Sequence, residues 1–311
     1  MRHVIVSGAS GFIGSQIAVT LHQSGYKVTG LCRSNAAQLE RELCVNVKHV
    51  DLLSASQFEI EPADAIIHCA TANDIVSKDF AAGVELSVNG TERLLEAAEK
   101  AGIKKFIYFS TAQVYGTELN GRYDENSFVH CETPYALNHF FGEELCKMRS
   151  FSNALDITVL RPSNVFGIPQ SININRSNLV PFCFIDEALK NNSITLRSSG
   201  KQIRNFISTN ALADLILKIL KKFPNGFNVV NAGSNWSASM LDIVELTANE
   251  FQKQTNCVLE VKIENEIPLS GNDFEYASKL FPHKNNELST KKQMISTIST
   301  LMETKRSLLN E

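Results

Sequence analysis

Seven residues near the start of the chain, Gly8-Ala9-Ser10-Gly11-Phe12-Ile13-Gly14, limit what it can fold into more than any others. An apolar run, Val4-Ile5-Val6, leads into them, and Ile13, Ile17 and Leu21 follow at four-residue spacing towards Gly25. The pattern predicts a strand, a tight glycine turn and a helix. Such a turn brings backbone N–H groups and the positive end of a helix against a phosphate with no Cβ in the way. Gly8 permits the turn, Gly11 leaves room for a pyrophosphate, and Gly14 lets the helix pack closely on the strand. Three glycines alone would describe a flexible loop. The strand before them and the helix after them make a dinucleotide-binding fingerprint.

The spacing is G-x-x-G-x-x-G. This variant, so close to the N-terminus, resembles the extended short-chain dehydrogenase/reductase branch, the NAD(P)-dependent nucleotide-sugar epimerases and dehydratases. The resemblance implies an α/β fold: a doubly wound parallel sheet (Rossmann) with a smaller discontinuous substrate-binding lobe. Residues 1–167 and 206–232 would form the dinucleotide-binding domain, and residues 168–205 and 233–311 the lobe. It runs in register over residues 1–245 and fades beyond them. It also implies cofactor contacts from Gly8, Gly11, Phe12, Ile13 and Gly14.

Composition narrows the remaining classes. At 311 residues, 43% hydrophobic and with a net charge of −3, the chain is long enough for one large core and carries no basic excess that would favour nucleic acid. Its seven cysteines are odd in number and form no C-x-x-C pair, so they read as reduced thiols of a cytoplasmic protein, with no disulfide frame and no metal site. The first apolar run breaks at Ser7-Gly8, too short for a signal-peptide core, and no apolar stretch is long enough to span a membrane. Asn-x-Ser/Thr triplets such as Asn235-Trp236-Ser237 are then chance matches.

Lys27–Leu31 reads as the second strand. An Asp or Glu near its end would bond the adenosine ribose in an NAD site, whereas this chain has Arg33, a guanidinium suited to a 2′-phosphate. NADP is therefore favoured over NAD as cofactor. Residues 46–52 fit a third strand, and the resemblance places Asp51 and Leu52 beside the adenine. Residues 65–70 form a buried strand ending at Ala70, beside the cofactor by the same resemblance. His68 and Cys69 on it have no further ligands in sequence and read as packing. Residues 79–102 are predicted as one long helix ended by Gly102; within it Val88-Asn89-Gly90-Thr91 resembles the family's Val-Asn-x-x-Gly/Thr segment, which implies a buried Asn89 bonding backbone near the active site.

Two blocks carry the chemistry. Lys105–Gly116 is a buried strand ending in hydroxyls, and it resembles the family's Ser-Ser/Thr-x-x-Val-Tyr-Gly segment, which makes Thr111 the hydroxyl that bonds the substrate's reacting oxygen. Thr133-Pro134-Tyr135-Ala136-Leu137-Asn138-His139 opens a helix with Pro134 at its start. It resembles Tyr-x-x-x-Lys, in which Tyr exchanges a proton with the sugar and Lys bonds the nicotinamide ribose and lowers the Tyr pKa. Tyr135 is the acid/base of that pattern, and His139 stands where the lysine would. A neutral imidazole offers little of an ammonium's help. Three accounts follow: a slower or different chemistry, another cation in the lysine's place, or cofactor binding without turnover. The 4,6-dehydratases of the family carry an Asp-Glu pair after the Thr, and here those places hold Ala112 and Gln113, which argues against dehydration.

On the substrate side, residues 156–167 read as a strand resembling Leu-Arg-x-x-Asn-Val-Tyr-Gly, so Asn164 inherits a contact near the substrate's diphosphate. Residues 204–214 resemble Arg-Asp-Phe-Ile-x-Val-x-Asp-Leu-Ala, which assigns Arg204 as a diphosphate clamp. A helix over 211–222 and a strand over 227–231 return to the sheet, and Thr290-x-x-Gln293 has the form of a capping box before a core-facing stripe of Met294, Ile298, Leu301 and Met302. The resemblance implies a nucleoside-diphosphate sugar substrate, modified by epimerisation or keto reduction, and a homodimer. Two rival readings remain, a non-catalytic NAD(P)-binding regulator and a reductase of an apolar carbonyl compound.

Overall fold

Strand order and alternation of side chains set the architecture. The computed structural model describes residues 2–33, 36–54, 58–151, 155–171, 173–174, 176–264, 274–282 and 287–310. Strands β1 (His3–Ser7), β2 (Lys27–Cys32), β3 (Asn46–His49), β4 (Ala65–His68) and β5 (Lys105–Phe109) belong to one sheet. β6 (Gly121–Tyr123) leaves it, β7 (Asp156–Pro162) rejoins it, and after β8 (Asn164–Phe166), β9 (Ser193–Leu196) and β10 (Ile203–Ser208) the edge strand β11 (Phe227–Ala232) completes it. The order β3-β2-β1-β4-β5-β7-β11 is parallel throughout and reverses direction of growth at β1/β4. Ligands of open α/β sheets sit at that crevice, off the carboxyl ends of the strands.

Both faces of the sheet are covered, because successive residues point to opposite sides. Val4 and Val6 face one layer with Ile17 and Leu21 of helix α1 (Phe12–Gln23), Leu39 of α2 (Ala36–Leu43) and Ile216 of a later helix. Ile5 faces the other, with Leu94 and Leu95. The predicted helix over 79–102 is interrupted: α3 (Phe80–Val84), capped by Asp79, passes through a π-turn at Glu85–Asn89 into α4 (Gly90–Lys100). A π-turn inserts an extra residue and shifts the inward face. Ser87 is therefore the buried residue, and Asn89 is exposed with its amide on Glu85, which corrects the expectation of a buried Asn89. The third strand likewise ends at His49, not at Leu52.

Helix α5 (Pro134–Ser150) starts with the Thr133 hydroxyl accepting from Ala136 N and packs beside β7. The second cluster of packing joins α6 (Phe182–Asn191), α8 (Met240–Thr255) and α9 (Glu287–Asn310), while α7 (Thr209–Lys221) covers the main sheet. It also takes in β8 and β10, which pair in parallel, with β12 (Ser237–Ser239) antiparallel to β10. Two short parallel pairs, β13 (Glu260–Ile263) with β9 and β14 (Phe274–Tyr276) with β6, lie beyond them. Met294, Ile298, Leu301 and Met302 face this cluster as the stripe predicted. Thr290 is no cap: it lies buried inside α9, and Gln293 accepts a hydrogen bond from the Ser208 hydroxyl at 2.8 Å.

Candidate active site

The glycine turn comes first because its shape leaves no alternative residue. Gly8 has φ of +70°, and a Cβ there would stand 2.9 Å from the backbone of Cys69 and Ala70, on the neighbouring strand's exit. A Cβ on Gly14 would come within 2.3 Å of the Gly8 carbonyl oxygen, so only glycine lets α1 begin this close to β1. Gly11 is the N-cap of α1 and no side chain caps the helix, which leaves its first N–H groups open to an anion. The cradle fits a dinucleotide's phosphates.

Two cavities meet at this turn. A smaller one, about 150 Å³, contains Arg33, Asp51, Leu52 and Ala70 on the β2/β3 side. Arg33 is exposed, and Asp51 turns one carboxylate oxygen to Leu53 N at 3.0 Å. The larger, about 350 Å³, is lined by Gly8, Gly11, Phe12, Ile13 and Gly14 and by Thr111, Tyr135, His139, Asn164 and Arg204. Sequence-predicted positions separated by almost two hundred residues thus share one wall. Phe12 packs edge-on against Phe182 at 5.7 Å, joining the glycine turn to α6.

Thr111, two residues past the end of β5, caps the short turn that follows, its hydroxyl accepting from Gln113 N at 3.2 Å. The same hydroxyl acts on the Tyr135 phenol at the first turn of α5. Burial raises the Tyr135 pKa above its ordinary value; the Thr111 hydroxyl and the charge of Arg176 oppose that rise, while Asp74 adds to it. His139, one helical turn on, presents its ring edge to Tyr135 with centroids 4.5 Å apart. Its Nε2 donates to the Ala72 carbonyl at 3.2 Å, which fixes the tautomer, since a carbonyl only accepts. Nδ1 is buried with no hydrogen-bond partner. Burial pushes this imidazole down to about 4, outweighing the carbonyls of Ala72 and Phe109 that favour its charged form. His139 is neutral at pH 7.

Buried polar chains hold these groups. Ser87 Oγ accepts from Ala72 N at 3.0 Å, so the π-turn positions the carbonyl that holds His139. His68 bridges Ser7 at 2.6 Å and Thr91 at 2.9 Å, and burial pushes it down to about 3. Glu143 on α5 pairs with Arg161 on β7, Nε to Oε1 at 2.9 Å, and accepts from the Ser110 hydroxyl next to Thr111. Among the described residues there is no group of three His, Cys, Asp or Glu placed to hold a metal, and no helix long and apolar enough to cross a membrane.

Asn164 is exposed, with its amide donating to the Asn205 carbonyl at 2.9 Å, and Arg204 is half-buried, its pKa lowered by that burial. Reasoning from sequence missed Asp74, Arg176 and Asn178, which also line the larger cavity. Arg176 and Asn178 lie in a stretch with neither periodicity nor motif. Ser87 had a signal, because it stands one helical turn before Thr91.

The sequence profile of the NAD dependent epimerase/dehydratase family matches residues 4–233. A dTDP-D-glucose 4,6-dehydratase of Homo sapiens is 29% identical over 309 residues, 89% of this chain and 82% of that protein. A UDP-glucose 4-epimerase of Bacillus subtilis is 26% identical, over 78% of this chain and 80% of its own. The fold matches a UDP-N-acetylglucosamine 4-epimerase from Methanobrevibacter ruminantium M1, solved with UDP-N-acetylmuramic acid, at a TM-score of 0.82 with 24% identity over 97% and 99% of the two chains. With the profile spanning the glycine turn, Thr111, Tyr135 and both halves of the sheet, the chain belongs to the NAD dependent epimerase/dehydratase family of nicotinamide-dependent enzymes.

Proposed function

We propose that this enzyme epimerises a carbinol carbon of a nucleoside-diphosphate sugar, or reduces a keto-sugar, with Tyr135 as acid/base. The observation that carries the reading is the Tyr135–Thr111 hydroxyl pair in the wall of a cavity that also contains the glycine turn. When bound, the dinucleotide takes up or returns a hydride. Tyr135 takes the proton from the sugar hydroxyl as the carbonyl forms and gives it back on the return. Thr111 holds the reacting oxygen beside the phenol. His139, neutral and tied to Ala72, lines the cavity beside Tyr135 and would help hold the cofactor without supplying charge.

Gly8, Gly11 and Gly14 with Phe12 and Ile13 receive the pyrophosphate, and Asp51, Leu52 and Ala70 the adenosine. NADP is the favoured cofactor because the exposed Arg33 guanidinium reaches the adenosine-side cavity at the end of β2. Asn164, at the end of the dinucleotide-binding domain, and Arg204, in the lobe of residues 168–205 and 233–311, take the sugar's diphosphate. Several relatives are named dTDP-glucose 4,6-dehydratases. This chain instead presents Ala112 and Gln113 after Thr111, and neither side chain supplies the acid or the base of a water elimination.

Incubation of wild type and Tyr135→Phe with UDP-, dTDP-, GDP- and CDP-sugars and either dinucleotide tests this. NMR should show a new sugar from the wild type, formed faster with NADP, and none from the variant. Cofactor binding with no product from either protein contradicts the reading and favours a non-catalytic binder.

A further inference from the structure

Tyr135 must lose a proton at some point in the cycle, and its own helix gives no help. The group one turn along, His139, is neutral, and burial holds the phenol up. A tyrosinate formed there needs a cation close by. The charged groups that act on the phenol come from other elements: Asp74 from the turn after β4, and Arg176 from the segment between β8 and α6. Thr111 adds its hydroxyl from the end of β5.

Arg176 is placed for this. It lines the same cavity as Tyr135, Thr111 and His139, and its Nε is buried with no hydrogen-bond partner. Burying part of a guanidinium without satisfying it is costly, and the burial lowers its pKa. The carboxylate nearby is Asp74, whose charge favours the guanidinium against that burial and which accepts from Asn178 Nδ2 on both oxygens, at 3.1 and 2.9 Å. That contact ties residue 178 to the turn at 73–76, whose backbone the Asn73 side chain in turn holds through Ile75 N and Val76 N. Arg176, two residues earlier, is thereby kept at the cavity.

We propose that Arg176 is the cation that stabilises ionised Tyr135, supplied from the lobe in the place of the lysine that position 139 lacks. It is a positioning residue that acts through Tyr135, and the inference rests on Tyr135 being the acid/base. Activation of the phenol then depends on the seating of the 176–178 segment, so a lobe contact and the proton step are coupled.

The test reads Tyr135 directly in the full-length protein without substrate, by NMR of Cζ-labelled tyrosine across pH, with the signal assigned from Tyr135→Phe. Arg176→Gln should move the Tyr135 midpoint up by about 1 pH unit or more, and Arg176→Lys should return it to near the wild-type value. Asp74→Asn, which removes an anion, should move it down. A midpoint unchanged in Arg176→Gln, or no recovery in Arg176→Lys, overturns the proposal. With a turned-over sugar in hand, the limb over which kcat rises with pH should follow the same shifts, with about tenfold less turnover at neutral pH in Arg176→Gln. A raised KM with an unmoved pH limb would make Arg176 a substrate ligand and overturn it as well. Absence of turnover in the wild type would defeat the functional reading alone, since the NMR midpoints decide Arg176 independently.

Discussion

An imidazole and an ammonium make opposite demands on the wall they share with Tyr135. The ammonium would charge the wall; the imidazole at 139 has been desolvated until it stays neutral down to about pH 4. The unfolded chain takes up that proton near pH 6.5, so it binds protons first as the solution is acidified. The folded state therefore keeps its full stability above about pH 6.5 and loses it as pH falls towards 4, by roughly 2 kcal/mol at pH 5 from this one group. His68, held near 3, adds to the loss in the same direction. Urea unfolding at pH 7 and pH 5 checks the sign. His139→Gln should shrink the difference between the two by roughly 2 kcal/mol, and an unchanged difference would mean that the ring is charged in the folded state. At this scale the sequence was partly readable. Tyr135, Thr111 and the missing lysine stand in motifs, whereas Arg176 acts through a fold that brings a patternless loop to the phenol.

Elements explain why the motifs were readable at all. The turn at Gly8–Gly14 is dictated by backbone sterics, so its residues are nearly interchangeable with no others, and the pattern survives as sequence. Gly14→Ala should weaken dinucleotide binding by tenfold or more, because the methyl and the Gly8 carbonyl cannot share the space and overpacking of this kind costs about 1–3 kcal/mol. Fluorescence titration with NADP and NAD measures it; unaltered affinity in a folded variant would place the phosphates elsewhere. The helix predicted over 79–102 shows the opposite case. Its apolar periodicity is genuine on both sides of the π-turn, yet a one-residue insertion in the hydrogen-bond register is invisible to a period count. That register decides which of Ser87 and Asn89 is buried.

At the scale of the whole molecule, one sheet carries the glycine turn, the Thr111 strand and, through Glu143–Arg161, the helix of Tyr135, while β8, β10 and the segment before α6 bring Asn164, Arg204 and Arg176 to the same cavity. The fold was legible early because the glycine turn and the later motifs resemble one family, and that resemblance implies a doubly wound parallel sheet. The part after β8 was not, because α6 and β9 are held by contacts with Phe12, α8 and α9 that are distant in sequence. In the proposed function, reaction type turns on Tyr135 and Thr111, with Ala112 and Gln113 in the places of an acid–base pair. The most direct measurement is the mass of the sugar product formed by the wild-type enzyme. A product of unchanged mass, or one heavier by two hydrogens with the cofactor consumed, is expected for epimerisation or keto reduction. A product lighter by one water would show elimination and contradict the account.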